Sequence, residues 1–269
     1  MQNSYDLRAL APTVCKILGV RPPRTAHVEP LLEVFETMGV QDRLAVVVID
    51  AFGASTWAQV RIETPTFNAF ANRHLLHLSA VMPTVTPVNF ATMLTGAAPD
   101  VHLIRSREDE LTLETIFDVL RTRGKSSATA ARALSTLGIL LSPFADHSGI
   151  AESNGDHEVS SIAVEAMKGR PDLLWVQLLD VDDAGHKHGP VSSQGIEAAK
   201  RADLHLREMA VEAFWQGYAI MVLADHGQHT VNGFDGSVTG THGTIVDEDV
   251  YVPLVWCRPE ELGEALGLA

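Results

Sequence analysis

Long apolar runs alternate along the chain with stretches of mixed polarity, and the runs have the length of β-strands. Three of them are almost continuously apolar and each ends in an aspartate: LAVVVID at 44–50, DLLWVQLLD at 172–180 and YAIMVLAD at 218–225. Such runs predict central strands of a parallel sheet that is covered on both faces. A fourth run, VYVPLVW at 250–256, contains Pro253 and predicts an edge strand or a strand end, because proline cannot donate to a ladder. Residues 76–82 and 126–133 are weaker strand candidates.

Between these runs, apolar residues recur every three or four positions, which is the spacing of an amphipathic helix. The segments predicted in this way are 111–124, 157–170 and 195–217, together with Leu7–Leu18 and Pro30–Met38 in the N-terminal part. Strands that alternate with helices indicate a layered α/β fold. We therefore predict a single domain over residues 1–269, a three-layer α/β/α sandwich on a mostly parallel sheet, with residues 1–40 as a helical segment on this core.

Composition narrows the function classes. The 269 residues include 20 Lys and Arg and 34 Asp and Glu, which gives a net charge of −14 at pH 7. Such an acidic chain is a poor binder of nucleic-acid polymers and of anionic membranes, since both are bound through lysine and arginine. The longest apolar runs fall well short of the roughly 20 residues of a membrane-spanning helix. Cys15 and Cys257 lie far apart and form no disulfide framework. We expect a cytoplasmic protein without a signal peptide, and the sequence predicts no oligomeric state.

Four loops at one edge of the predicted sheet carry carboxylates and imidazoles: Asp50 after the first run, VDDAGHKHGP after Asp180, Asp225 with His226, and His242 before the fourth run. Ligands of open α/β sheets bind at the carboxyl ends of the strands, so we expect these side chains to converge. Aspartate and histidine together suit Zn²⁺ or Mn²⁺. The alternative is that the aspartates are caps and turn residues and that the histidines are ordinary surface residues. This alternative is adequate for any one of the loops, but it does not explain why all four carry such side chains. Lys187, His188 and His229 border these loops, either as ligand or substrate contacts or as solvated positions.

The segment MPTVTPVNFATMLTG, residues 82–96, predicts a helix whose first residues could carry chemistry. Thr86 has the position of an N-cap and Pro87 that of the first helical residue, with the helix ending near Gly96. In one interpretation Thr86 is a cap and nothing more. In the other, its oxygen touches a metal ion, loses its proton and attacks a phosphorus centre at the positive end of the helix. Asn89, one turn later, could then donate its amide to a developing oxyanion.

These motifs together resemble the alkaline phosphatase superfamily, and within it the nucleotide pyrophosphatase/phosphodiesterase branch. The nucleophile motif of that branch, T-x-P-N-x-x-x-x-x-T-G, has its counterpart in Thr86, Asn89 and Thr95–Gly96 at the same spacing. Its other motifs are matched by D-x-x-G-H-x-x-G-P at 182–190, D-H-G at 225–227, H-G at 242–243 and the first-strand aspartate at Asp50. The resemblance implies an alkaline-phosphatase-like fold.

The resemblance also implies a ligand set for two divalent cations, Zn²⁺ or alternatively Mn²⁺. One ion would be held by Asp182, His186 and His242, and the other by Asp50, Asp225, His226 and the Thr86 oxygen. Two ions can clamp the attacking and leaving oxygens of an in-line displacement. Thr86 would form a covalent phospho-enzyme that water then hydrolyses, while Asn89 and the Thr86 backbone N–H would hold an equatorial oxygen.

The chain departs from the family pattern in three places. The proline follows the threonine directly, as T-P-V-N, and Asp50 is followed by Ala51 where the family usually has glycine. In addition, residues 9–20 resemble a helix that in relatives follows a V-P-L strand, whereas here Val252–Leu254 lies near the end of the chain. We infer from this a circular permutation, in which the N-terminal helix packs where a C-terminal helix would otherwise lie.

The expected function is that of a metal-dependent hydrolase of phosphate esters, above all a phosphodiesterase or nucleotide pyrophosphatase acting on a small molecule. Two alternatives stay open at this point. The same site could hydrolyse phosphomonoesters or phosphonates, the latter in the manner of a phosphonoacetate hydrolase. From a different class, the chain could be an inactive metal-binding module, although the complete set of implied ligands argues against it.

Overall fold

The computed structural model describes residues 4–153 and 155–268. Its strands are β1 (Tyr5–Asp6), β2 (Leu44–Ile49), β3 (Leu75–Ser79), β4 (Ser127–Arg132), β5 (His147–Ala151), β6 (Leu173–Leu178), β7 (Ala219–Leu223), β8 (His229–Asn232), β9 (Val238–Thr241) and β10 (Tyr251–Cys257). Its α-helices are α1 (Leu10–Ile17), α2 (Leu32–Met38), α3 (Ala54–Val60), α4 (Pro65–Ala71), α5 (Thr86–Thr95), α6 (Pro99–His102), α7 (Ile116–Thr122), α8 (Asp156–Lys168), α9 (Asp180–His188), α10 (Ser193–Gln216), α11 (Asp247–Val250) and α12 (Pro259–Leu266).

The strands form one large sheet and a separate hairpin. The sheet has the order β1-β3-β10-β7-β2-β6-β4-β5, while β8 pairs with β9. Neighbouring strands of the sheet run parallel except at β10, which is antiparallel to both β3 and β7. The three apolar runs form β2, β6 and β7, whose residues are all buried. This confirms the predicted fold class, a mostly parallel central sheet between helices.

The helices fall into two packed groups, one for each outer layer of the sandwich. Helix α10 packs against α4, α8 and α12, whereas α5 packs against α1 and α7. Within the described residues, no helix is long and apolar enough to cross a membrane. The prediction of one domain over residues 1–269 stays a prediction.

Of the two alternatives predicted for residues 250–256, an edge strand or a strand end, the edge strand was wrong, because β10 lies inside the sheet. Pro253 pairs with His77 of β3, and the ladder with β7 begins only one residue later, at Leu254 opposite Leu223. A proline is tolerated here because β7 has already ended where Pro253 stands, so that side of β10 needs no donor at this position.

The helix predicted at 111–124 is shorter than the periodicity indicates. It begins at Ile116, because Thr115 forms a capping box with Asp118. The Asp118 carboxylate accepts from the Thr115 backbone N–H at 2.9 Å, and the Thr115 hydroxyl accepts from the Asp118 backbone N–H at 3.3 Å. A capping box fixes the first turn of a helix, so residues 111–114 remain outside it.

The N-terminal segment contacts the sheet and helix α5, and residues 1–3 lie outside the described residues. Strand β1 pairs with β3, the neighbour of β10 in the sheet. A 3₁₀ turn at Leu7–Ala9 leads into α1, which packs on α2 and α5. Helix α2 in turn reaches β10, since the Trp256 indole donates to the Thr37 hydroxyl at 3.0 Å. The circular permutation itself stays a hypothesis.

Candidate metal centre

The first cluster of ligand-type side chains, the His242 group, consists of Asp182, His186 and His242. Asp182 and His186 stand one turn apart on α9, so both project from one face of the helix. Nε2 of His186 lies 3.3 Å from Oδ1 of Asp182 and 3.0 Å from Nε2 of His242. Nε2 of His242 lies 3.6 Å from the same carboxylate oxygen. All three ligand atoms lie within 4.8 Å of one another, as in a metal site.

The second cluster, the Asp50 group, consists of Asp50, Asp225 and His226, all fully buried. Asp50 directly follows β2. Asp225 and His226 follow β7, with one residue between the end of the strand and Asp225. Nε2 of His226 lies 3.5 Å from Oδ1 of Asp50 and 3.3 Å from Oδ2 of Asp225. The Thr86 hydroxyl lies 3.1 Å from Nε2 of His226 and 3.4 Å from Oδ1 of Asp50. The rings of His226 and His242 stack with centroids 4.0 Å apart, so the two groups adjoin.

The three histidines present the same ring nitrogen to the centre. Nδ1 of His186 faces the carbonyl of Gly240 at 3.0 Å, and Nδ1 of His242 faces that of Thr84 at 2.8 Å. Nδ1 of His226 likewise faces the carbonyl of Gly227 at 2.9 Å. A carbonyl can only accept, so each Nδ1 carries the proton and Nε2 is left as the coordinating atom.

Buried carboxylates give a second sign that cations belong here. Burial, together with the charge of neighbouring carboxylates, raises the pKa of Asp225 to about 7 and the pKa of Asp50 well above its usual value. Oδ2 of Asp225 is buried without a hydrogen-bond partner among the described residues. Since an unpaired buried carboxylate is costly, a divalent cation is the natural counter-charge for this pair. The donor atoms therefore fit two divalent cations.

Protonation of the His242 group follows from its own contacts. A hydrogen bond to Asp182 raises the pKa of His186 to about 9, while burial and the nearby His226 lower the pKa of His242 to about 4. Burial alone would raise the pKa of Asp182. Its pKa is nevertheless lowered, because the hydrogen bond to His186 and the charges of the surrounding histidines outweigh the effect of burial. Near neutral pH a proton on Nε2 of His186 thus occupies the place that a cation would take.

Two glutamines that the sequence interpretation did not single out hold ligand carboxylates in place. Gln177 donates to Oδ2 of Asp50 at 2.7 Å and accepts from the Leu137 backbone N–H at 2.8 Å. Gln228 donates to Oδ1 of Asp182 at 3.1 Å. Gln177 is a polar residue inside the apolar run DLLWVQLLD, and a polar residue at a fully buried strand position is a signal that it has a fixed partner.

The turn after β2 contains Ala51, the residue at which the family usually has glycine. Ala51 has φ +57, in the left-handed region that favours glycine. Its N–H donates to Oδ1 of Asp225 at 3.3 Å, so this conformation joins the two carboxylates of the Asp50 group. Gly53 completes the turn, because a Cβ there would lie 2.6 Å from the Cα of Gly227.

The structure corrects the predicted N-cap at Thr86. Helix α5 begins at Thr86 with Val85 as the N-cap residue and Pro87 in the first turn, and no side chain caps it. The Thr86 hydroxyl is therefore free of a capping role and faces the Asp50 group instead. Its backbone N–H belongs to the first turn of the helix, whose amides make no intrahelical bonds and attract anions.

The predicted role of Asn89 in holding an oxyanion stays a prediction, but the structure gives its amide other partners. Asn89 is fully buried, and its Oδ1 accepts from the Val81 N–H at 2.8 Å. Its Nδ2 faces the carbonyls of Val81, Pro83 and Val85 at 3.2 to 3.4 Å. Helical side chains tilt toward the N-terminus, so an asparagine one turn into α5 reaches back to the preceding loop. Asn89 thus orders residues 81–85, and its amide faces this loop.

Of the residues that border the motifs, one has a defined partner in the interior. Nδ1 of His229 lies 2.7 Å from Oδ1 of the buried Asp249. Lys187 and His188 instead line a surface cleft together with Arg201. The metal-ligand and catalytic roles of the predicted residues stay predictions at this point, but all seven implied ligands are brought together.

Comparison with known proteins places this site in a family. The family model described as type I phosphodiesterase / nucleotide pyrophosphatase matches residues 44–108 and 140–249, which is more than half of the chain. Venom phosphodiesterase 2 of Crotalus adamanteus is 28% identical over 194 residues, which are 59% of this chain and 23% of that protein. The chain thus spans about a quarter of the length of this relative.

Solved structures show the same fold. Murine ectonucleotide pyrophosphatase / phosphodiesterase 5, in an inactive threonine-to-alanine form in complex with AMP, matches with a TM-score of 0.66 and 14% identity, over 80% of this chain and 87% of that one. Phosphonoacetate hydrolase from Sinorhizobium meliloti 1021, in complex with phosphonoformate, matches with a TM-score of 0.57 and 19% identity, over 73% and 59% of the two chains. On the strength of the family match and the site that carries it, the chain belongs to the type I phosphodiesterase / nucleotide pyrophosphatase family.

Proposed function

We propose that this protein is a metal-dependent hydrolase of phosphodiester or pyrophosphate bonds in small molecules, with Thr86 as its nucleophile. The observation that carries the proposal is the position of the Thr86 hydroxyl. It lies 3.1 Å from His226 and 3.4 Å from Asp50, beside two adjoining groups of cation ligands. A hydroxyl placed at ligand atoms and at a helix N-terminus suits attack on a phosphoryl group.

In the proposed reaction the Thr86 oxygen attacks phosphorus, so that a bond to Thr86 forms while the ester P–O bond breaks. Oδ1 of Asp50, a carboxylate oxygen that keeps a lone pair when it binds a cation, is within reach of the hydroxyl proton, which ends on the leaving oxygen. Water then attacks the same phosphorus and returns the Thr86 hydroxyl, so one water is consumed for each bond cleaved. Bound divalent cations would stabilise the charge that develops on the phosphoryl oxygens.

The electrostatics of the site favour a diester over a monoester. Among the described residues, no lysine or arginine hydrogen-bonds to Thr86 or to a side chain of either ligand group. A monoester dianion carries more charge than a diester, and it would have to be stabilised without these side chains in a protein of net charge −14. Phosphonate hydrolysis is the second candidate, supported by the likeness in fold to phosphonoacetate hydrolase.

For the ions we propose Zn²⁺, with Mn²⁺ as the alternative. Each group offers imidazole nitrogen together with carboxylate oxygen, a mixture that suits zinc, while the larger share of oxygen in the Asp50 group also suits manganese. Loading the protein with each metal and comparing turnover decides between the two.

We also propose a cytoplasmic location. Cys15 and Cys257 are free and buried, and burial raises the pKa of each thiol to about 12, which suits a protein kept in a reducing compartment. Fractionation of cells that make the protein tests this.

The test of the proposed activity is a rate comparison on metal-loaded protein with bis-p-nitrophenyl phosphate, p-nitrophenyl phosphate and phosphonoacetate. We expect the diester to be hydrolysed fastest. Thr86→Ala should remove turnover while both ions remain bound, because the six carboxylates and imidazoles are untouched. Turnover that survives in Thr86→Ala would show that another group is the nucleophile, and a preference for phosphonoacetate would favour the second candidate.

A further inference from the structure

Thr84, two residues before the proposed nucleophile, joins the nucleophile loop to the loop that carries His242. The Thr84 side chain is fully buried. Its hydroxyl donates to the Thr244 carbonyl at 3.1 Å and accepts from the Gly243 N–H at 2.9 Å. Its carbonyl accepts from Nδ1 of His242 at 2.8 Å. Three hydrogen bonds therefore connect one residue of the nucleophile loop with three consecutive residues around a predicted ligand.

Asp249 joins the same loop to the segment that carries the Asp50 group. Its Oδ2 accepts from the Thr244 N–H at 3.0 Å and the Thr244 hydroxyl at 2.7 Å, while its Oδ1 lies 2.7 Å from Nδ1 of His229. The Asp249 carbonyl also accepts from the Gly227 N–H at 2.8 Å, next to His226. Asp249 is fully buried although it belongs to a short helix at the surface.

Few apolar contacts hold the loop at residues 244–248. Residues 244–248 are exposed, and Ile245 is 80% exposed, so the loop buries little apolar surface. Apolar burial stabilises in proportion to its area, so it contributes little here and the polar bonds decide where the loop lies. Buried polar networks of this kind fix one geometry when all members are satisfied.

We propose that Thr84, Thr244, Asp249 and His229 form a positioning network that aims Nε2 of His242 at Asp182 and His186, and thereby completes the His242 group as a cation site. The Thr84 carbonyl sets the tautomer and the direction of the His242 ring. The Thr84 hydroxyl holds the backbone of residues 243 and 244 next to it. Asp249 fixes the other end of the loop. None of the four residues is placed at the reacting atoms; all act through His242. The proposal rests on the proposed function for its catalytic meaning, but its test is ion binding.

The main variant is Thr84→Val, which keeps the shape of the side chain and removes both hydroxyl hydrogen bonds. Outer partners of ligating histidines typically change metal affinity by about 10- to 100-fold, so we expect one of the two ions to bind at least about tenfold more weakly. The ion at the Asp50 group should bind as before. In Co²⁺-loaded protein, the visible absorption of the ion at the His242 group should change or be lost at concentrations that saturate the unaltered protein, while the absorption of the other ion should remain.

Two controls separate positioning from a general loss of stability. Thr84→Ser keeps the hydroxyl and should restore ion binding. Thr13→Val is the matched control, since buried Thr13 also makes two hydroxyl hydrogen bonds, to Ala9 and Leu31, at 2.6 and 2.8 Å but within the N-terminal segment. It should lower the melting temperature about as much as Thr84→Val and leave both ions bound.

Two variants of His229 test the end of the network at Asp249. His229→Asn retains an N–H that can reach Asp249 and should bind both ions, while His229→Leu should weaken the same ion as Thr84→Val. The proposal is overturned if Thr84→Val binds two ions with unchanged affinity, or if Thr84→Ser or Thr13→Val weakens binding as much. If the unaltered protein binds two ions but cleaves no ester, the proposed function fails and the network stands.

Discussion

Ion binding at the His242 group should compete with a proton, and the size of the effect follows from His186. The hydrogen bond from His186 to Asp182 raises its pKa to about 9, and Nε2, the atom that would bind the ion, is the protonated one. An ion can bind only after this proton leaves. Between about pH 6 and 8 the fraction of unprotonated ring rises about tenfold per unit, so the affinity should rise about 100-fold over this range.

Calorimetric titration with Co²⁺ or Zn²⁺ measures this effect directly. Repeating the titration at pH 7 in two buffers of different ionisation enthalpy gives the number of protons released, which should be about one for the His242 group. His242→Ala serves as the control, because it leaves the Asp50 group as the only binding site predicted here. The remaining ion should then gain affinity mainly below pH 7, where Asp225, with a pKa of about 7, still carries a proton. An affinity that changes less than about twofold between pH 6 and 8 in the unaltered protein would refute the assignment of the proton to Nε2 of His186.

Three further outcomes follow from the same contacts. Removing the ions with a chelator should lower the melting temperature more at pH 8 than at pH 5, because burial raises the pKa of Asp225 to about 7, so the metal-free fold loses stability as the pH rises from about 4 to 7. Equal losses at both pH values would contradict this, and Asp225→Asn should make the difference smaller without abolishing it, since the pKa values of Asp50 and His186 are raised as well. Gln177→Leu should lower the free energy of unfolding by about 1–3 kcal/mol in a denaturant titration, because Asp50 and the Leu137 N–H each lose a buried partner. A change below the error of the titration would show that water replaces the amide. Asn89→Ala should destabilise the protein by about 2–4 kcal/mol through the loop at 81–85 and lower kcat by displacing Thr86; a stable variant that loses activity alone would return Asn89 to the reacting centre.

Much of the architecture is visible in the sequence because it depends on patterns within single segments. The continuous apolar runs at 44–50, 172–180 and 218–225 are typical of strands covered on both faces, and they form the centre of the sheet. Asp182 and His186 were expected in a loop after the second run, and the structure instead places them one turn apart on helix α9. The ends of the apolar runs thus predicted which edge of the sheet these side chains reach, although not the helix that carries two of them.

The features that the sequence did not reveal depend on contacts between distant segments. The place of β10 inside the sheet is set by where β7 ends, which the proline in VYVPLVW does not show. Asn89 has the spacing of a substrate-binding residue, yet its amide is used by the loop before α5, and spacing alone cannot tell these two uses apart. Gln177 is the exception, since a polar residue in an apolar run already indicates a fixed partner.

The ligands of the site differ in how the fold holds them in place. Asp50 and Asp225 follow buried neighbouring strands, so the sheet itself sets their separation. His242 has no such support, because it follows a hairpin that pairs only with itself among the described strands. The bonds from Thr84 and Asp249 supply the missing constraint, and they connect His242 to the same loops that carry Thr86 and His226. The least supported ligand is therefore held by the residues nearest the proposed nucleophile, so a change that shifts one loop should disturb ion binding and phosphoryl transfer together.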